Sequence, residues 1–196
     1  MNPYELIVFV HIAAAVALLS GSVFGSPAVR AAVRRARTTQ ELRAYLAIGR
    51  PLLLIEPLSA LIVLITGVYL THVANFWNQG WVQVPLVFWF VNSVVAVRMV
   101  KPVMSRVAAE AAEAGEGPVG QRLDALRRSA RWSFGGDLLL ANDAAMLYLM
   151  ALKPGLAGSL LVVVGANAIV AGARVIGTRV RRVDAGPIRS EHRRAS

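Results

Sequence analysis

The 196-residue sequence has no cysteine. That absence excludes disulfides, thiolate metal centres, iron–sulfur ligation and thioether-attached haem, so a bound metal would have to rest on histidine, methionine, carboxylate or backbone oxygen. Charge is also scarce, at 16% of residues, and acidic residues are outnumbered 11 to 21 by lysine and arginine. With 56% hydrophobic residues and a mean hydropathy of +0.56, the composition excludes a disordered chain and points to a membrane protein. At about 20 apolar residues per crossing, the length leaves no room for a separate soluble catalytic domain beside a bundle of crossings.

Five apolar stretches occupy residues 4–26, 51–71, 81–100, 132–152 and 155–176. Each is close to the length that a hydrocarbon core of about 30 Å requires of a helix rising about 1.5 Å per residue. Prolines punctuate them: Pro27, Pro102 and Pro154 lie just past expected helix ends, and Pro51 and Pro85 fall in first turns, where a missing N–H costs little. Pro57 lies a turn inside the second stretch and predicts a mild kink. The expected fold is therefore an all-α, polytopic membrane bundle of five transmembrane helices forming one domain over residues 1–178.

Basic residues are distributed unevenly between the loops. Residues 27–50 hold six, the connection from His72 to Gly80 none, the third connection with its flank seven, the turn at Lys153 one, and the C-terminal part seven. If the five stretches cross alternately, 20 of the 21 lie on one side. By the positive-inside rule this predicts an external N-terminus, a cytoplasmic C-terminus and a bacterial plasma-membrane location. The same placement accounts for the formal charge of +10 without a nucleic-acid partner. Glu5 and the lack of a basic start argue against a cleaved signal peptide.

Residues 101–131 form the expected cytoplasmic loop, a helix-rich hairpin broken at Gly115–Pro118. Its basic half, with Arg122, Leu123, Leu126 and Arg127, reads either as an amphipathic stretch on anionic lipid headgroups or as a solvated connector. Residues 179–196 read as a basic, disordered tail. Phe76, Trp77 and Trp81, in the uncharged second connection, suit an interfacial aromatic belt on the outer side. Small residues recur at Ala17, Gly21 and Gly25 and at Gly158, Gly165 and Gly172, faces suited to close packing within the bundle or in a homo- or hetero-oligomer.

Polar groups inside the apolar stretches carry most of the functional information, because an ionised group at the bilayer centre costs at least about 2.5–3.5 kcal/mol. Glu56 and Asp137 lie about one turn inside the boundary, near the level of Arg50, Arg98, Arg131 and Arg174, and predict an inner charge layer. Asn92, Asn142, Asp143 and Asn167 fall near mid-span and predict a hydrogen-bonded layer that sets helix register. Glu56, Ser59 and Thr66 form a polar stripe that should face the interior. His11 lies at the depth of Met146, while Asp143, Met146 and Met150 share a helix face. Their convergence, with His72 at the mouth, would suit haem iron or copper; a structural His11 would instead hydrogen-bond to Asp143 or Thr66.

The segment Phe9–Gly21 (F-V-H-I-A-A-A-V-A-L-L-S-G), the arginine run after it, L-I-T-G-V-Y-L from Leu64, Q-G-W from Gln79 and N-D-A-A-M-L-Y-L-M-A-L-K-P-G from Asn142 resemble a widespread bacterial family of predicted integral membrane proteins with a domain of unknown function. The first three stretches more distantly resemble HemJ-type protoporphyrinogen oxidases and the membrane part of CopD-type copper-resistance proteins. The HemJ resemblance implies a bundle that binds haem b non-covalently through a first-helix histidine, here His11. Where that family carries a functional lysine in the third helix, this chain has Pro85, and no lysine occurs between His72 and Val100. Three readings stand side by side: a haem-binding or redox membrane protein, a copper or small-solute permease, and a non-enzymatic membrane subunit.

Overall fold

A computed structural model of the chain describes residues 2–184, with side chains to residue 177. Nine α-helices occur among the described residues: α1 (Pro3–Leu19), α2 (Ser26–Arg35), α3 (Thr39–Gly49), α4 (Leu52–Val73), α5 (Gly80–Val95), α6 (Lys101–Glu113), α7 (Gln121–Arg127), α8 (Ala130–Leu152) and α9 (Leu156–Asp184). No strand occurs among them; an isolated bridge joins Thr38 to Pro118. Local chemistry starts and stops these helices. Asn2 accepts from the Tyr4 N–H, Thr38 and Glu41 form a reciprocal capping box, and Ser129 accepts from the Trp132 N–H. Lys153 ends α8 in the left-handed conformation at φ 49°, followed by Pro154.

Pro27 and Pro102 were expected to lie outside helices, yet the helix runs through both. In each case a π-helical turn comes first, Ser20–Gly25 ahead of Pro27 and Ala96–Val100 ahead of Pro102. A π turn shifts the hydrogen-bond pattern by one residue, which accommodates the N–H that proline lacks. The carbonyl that Pro102 leaves free, that of Arg98, accepts instead from the Arg131 guanidinium at 2.6 Å. The expected boundaries near residues 26 and 100 are thus overrun, and α1 with α2, and α5 with α6, form continuous rods.

By length and composition, four segments are apolar enough to cross a membrane: Pro3–Arg35, Thr39–Val73, Gly80–Glu113 and Leu156–Gly177. Helix α8, the fourth expected crossing, is not among them; Asp137, Asn142 and Asp143 dilute its hydropathy. It nevertheless lies beside α5 along its length. The Arg131 side chain reaches the Arg98 carbonyl, Asn142 reaches Asn92, and Leu149 shares an apolar cluster with Val84 and Val163. The bundle divides into a pair, α1 against α4, and a triple of α5, α8 and α9. The two groups meet where α8 packs on the Ser20–Gly25 turn and where Trp89 Nε1 donates to the Ala60 carbonyl at 3.1 Å. Large apolar side chains cover the outside, including Phe24, Leu54, Leu161 and Ile169, each more than 70% exposed. That exterior suits lipid rather than water.

Beyond the apolar rods, α2, α3, α6, α7 and the start of α8 enclose a second core of Val33, Leu42, Val107, Ala111, Leu123 and Trp132. Leu123 therefore faces this core, not headgroups, because α7 is held by Arg127. Its guanidinium, 4% exposed as a residue, donates at 2.7 Å to both the Val33 and Ala36 carbonyls at the end of α2 and pairs with Asp124. Arg43 does the same for α6, donating to the carbonyls of Ala111, Ala112 and Ala114. Helix α9 continues to Asp184, so residues 179–184 of the expected disordered tail are helical; residues 185–196 lie outside the described residues. Gly21 and Gly25 pack against Glu56 and Leu52, whereas open space lies beside Gly165 and Gly172. The first small-residue face is used within the chain; on the second, Gly158 meets Pro154, and Gly165 and Gly172 meet nothing among the described residues.

Candidate functional site

Three helices, α5, α8 and α9, bring their polar side chains into one seam inside the apolar bundle. Asn92 on α5 donates to Asp143 Oδ1 at 3.1 Å and accepts from Asn142 Nδ2 at 2.7 Å. Asn142 in turn accepts from Asn167 Nδ2 at 2.6 Å, and that amide also bonds to the Val163 carbonyl of its own helix. Asn142 is 2% exposed. An amide can serve this way because it carries donors and acceptors together and no net charge.

Glu56 projects from α4 to the first rod. It accepts from the Ser26 hydroxyl at 2.5 Å, and Gly21 leaves the space its side chain fills, since a Cβ there would stand 2.8 Å from Glu56 Cγ. Ser22 Oγ is buried without a partner at hydrogen-bonding geometry. Neither Glu56 nor Asp143 makes an ion pair among the described residues. Glu56 was expected to neutralise an arginine; rotation of α4 about its axis turns it to Ser26 instead. Ser22 and Ser26, one turn apart, escaped sequence reasoning because short hydroxyls read as small-residue packing.

Asp137 behaves differently. It bridges two arginines, Arg30 at 3.0 Å and Arg174 at 2.9 Å, at the wet end of the bundle, where its side chain is 41% exposed. Arg30 comes from the first rod, 107 residues before its partner, so no local pattern announces the pair.

His11 faces α4. Its Nδ1 lies 2.8 Å from Thr66 Oγ1, whose own hydrogen goes to the Ile62 carbonyl at 2.6 Å. The hydroxyl oxygen is thereby left to accept, so Nδ1 carries the proton and Nε2 keeps its lone pair. Met146 is half-buried on α8, Met150 is 38% exposed and His72 is exposed at the end of α4. Helix α8 meets the first rod at the Ser20–Gly25 turn, whereas His11 lies more than two helical turns before it on α1. No group of three or more His, Asp or Glu suited to a metal occurs among the described residues. At this same end the Phe76 and Trp81 rings pack at 5.4 Å, and Lys153 sits over Trp81 at 5.3 Å.

A family model described as "Predicted integral membrane protein (DUF2269)" matches residues 5–154. Searches of curated proteins and of solved structures found no match.

Proposed function

The chain belongs to the DUF2269 family of predicted integral membrane proteins, and from that premise we propose a proton-linked transport component of the bacterial plasma membrane, with five crossings, an external N-terminus and a cytoplasmic C-terminus. The proton-binding groups are Glu56 and Asp143. Five crossings draw support from α8 lying level with α5 and from the one-sided placement of arginine. The observation that carries proton binding is that two acidic side chains, Glu56 and Asp143, lie inside the apolar bundle with only hydroxyl and amide hydrogen-bond partners among the described residues. In lipid an unpaired carboxylate is expensive, and a carboxyl group avoids the cost by binding a proton. Hydroxyls and amides serve either protonation state, so each carboxyl can load and unload without rebuilding its surroundings.

Proteoliposomes with a trapped pH dye and an imposed potential test this reading. Wild-type vesicles should acidify faster than protein-free ones, and Glu56→Gln or Asp143→Asn should return the rate to that of empty vesicles. Equal rates with and without the protein, or variants that leave the rate unchanged, would overturn it.

A second reading, haem or copper ligation by His11, has one observation in its favour. The Thr66 contact leaves Nε2 with a free lone pair, the form a ligating imidazole takes when its other nitrogen donates a hydrogen bond. Such a group would supply one-electron redox chemistry. Soret absorbance that copurifies with the wild type and is lost in His11→Gln supports it; a colourless wild type after expression with haem and copper supplied refutes it.

A further inference from the structure

We propose that a cavity at the arginine-rich end of the bundle binds a phosphate-bearing anion, either the headgroup of an acidic phospholipid or a free phosphate compound. The cavity, of about 490 Å³, lies between the first rod, α8 and α9, and is lined by Arg30, Arg34, Arg35, Arg128, Arg174 and Asp137. Among the described residues the lining thus carries five guanidinium groups and one carboxylate. An excess of like charge gathered in one cavity attracts an anion, and phosphate is the group whose oxygens match the forked donors of arginine.

The arginines are held ready. Arg30 and Arg174 are tied to opposite oxygens of Asp137, and Arg174 also lies over the Phe134 ring at 5.3 Å. Arg34 donates to Ser133 Oγ at 2.8 Å and Arg30 to the Ser133 carbonyl at 3.3 Å. Arg128 is paired with Asp124, and Arg35 makes no hydrogen bond or ion pair among the described residues. Each guanidinium has five N–H groups, so these contacts fix position and still leave donors for a ligand. Gly136 is part of the design: a Cβ there would fall 1.5 Å from Arg30 Nη1, so any larger residue would push this guanidinium out of place.

Depth favours the phosphate level of a bilayer. Pro27 lines the cavity, and Phe24, one turn earlier on the same rod, is 74% exposed on the apolar exterior. The cavity therefore opens about one turn beyond the apolar surface, where headgroups lie. It is lined by neither Glu56 nor Asp143, so its fate is separate from that of the proton-linked reading.

Native mass spectrometry of the full-length protein in detergent, titrated with phosphatidylglycerol or phosphatidylcholine, tests the site. The wild type should retain phosphatidylglycerol preferentially. The double variant Arg34→Gln/Arg35→Gln should lose affinity for it by about tenfold or more, and Arg35→Gln alone, at a residue without a structural partner, by about fivefold. Arg122→Gln removes the same charge from a side chain that is 87% exposed and outside this cavity, and should leave affinity unchanged. Displacement of the lipid by millimolar inorganic phosphate or pyrophosphate assigns the site to free phosphate compounds; resistance to displacement assigns it to the headgroup. Equal loss in Arg35→Gln and Arg122→Gln, or no preference for phosphatidylglycerol together with no binding of phosphate, overturns the proposal.

Discussion

The two cores of this protein are held together by opposite chemistry. The outer core, around Val33, Leu42 and Leu123, is built as in a water-soluble domain: apolar side chains leave water, and the buried Arg127 and half-buried Arg43 donate to helix carbonyls. Among the described residues the seam inside the bundle has no arginine; amides link Asn92, Asn142, Asn167 and Asp143, and a hydroxyl, that of Ser26, holds Glu56. The difference follows from the surroundings. In lipid, apolar burial gives no driving force between helices, so packing and modest polar links must suffice. At the wet end a charged group is affordable and can reach carbonyls on another helix. Arginine thus has two roles in this chain, and the orientation rule describes only one of them.

Removing the Arg127 side chain should separate the two cores most strongly. Arg127→Met strands the Val33 and Ala36 carbonyls and leaves Asp124 with one arginine fewer, and should cost about 3–5 kcal/mol of stability. Thermal unfolding in detergent checks this, and a loss below 1 kcal/mol on the order-of-magnitude scale of an exposed pair would mean that the outer core does not depend on the cap.

A cut in the seam should do less. Asn142→Leu removes one amide from the three-helix chain, and links of this kind are worth about 0.6–2 kcal/mol in membranes. If unfolding measurements gave Asn142→Leu the larger penalty of the two variants, the contrast between the cores would collapse.

The smallest effect concerns acid. Hydrogen bonds from Arg128, then those from Arg127, hold the Asp124 carboxyl below its ordinary range. The folded form therefore resists protonation more than the unfolded chain does. The stabilisation is fully present above the unfolded value near about pH 4 and fades as pH falls through the lower folded value. A pH series of unfolding midpoints should show a shallow acid decline that Asp124→Asn reduces; an unchanged decline would assign it to other carboxylates.

Much of the bundle was legible because hydropathy and depth run along one dimension. Apolar stretches mark the rods, and depth alone groups Asn92, Asn142 and Asn167 at one level. Rotation and long-range pairing leave no such trace. Whether Glu56 meets an arginine or Ser26 depends on how α4 turns about its axis, and Arg127 finds Val33 across 94 residues of chain. Proline misled for a physical reason: Pro27 and Pro102 end an ordinary α-helix, yet a π turn placed ahead of each lets the helix continue.

The claim that matters most is that the inside of the bundle, unlike the outer core, holds a proton. Infrared absorption of the full-length protein in lipid nanodiscs reads it directly, because a protonated carboxyl and a carboxylate absorb at separate frequencies. At neutral pH the wild type should show a protonated-carboxyl band that is lost in Glu56→Gln or in Asp143→Asn and kept in Asp137→Asn. A spectrum with carboxylate bands alone, unchanged by Glu56→Gln or Asp143→Asn, would contradict it.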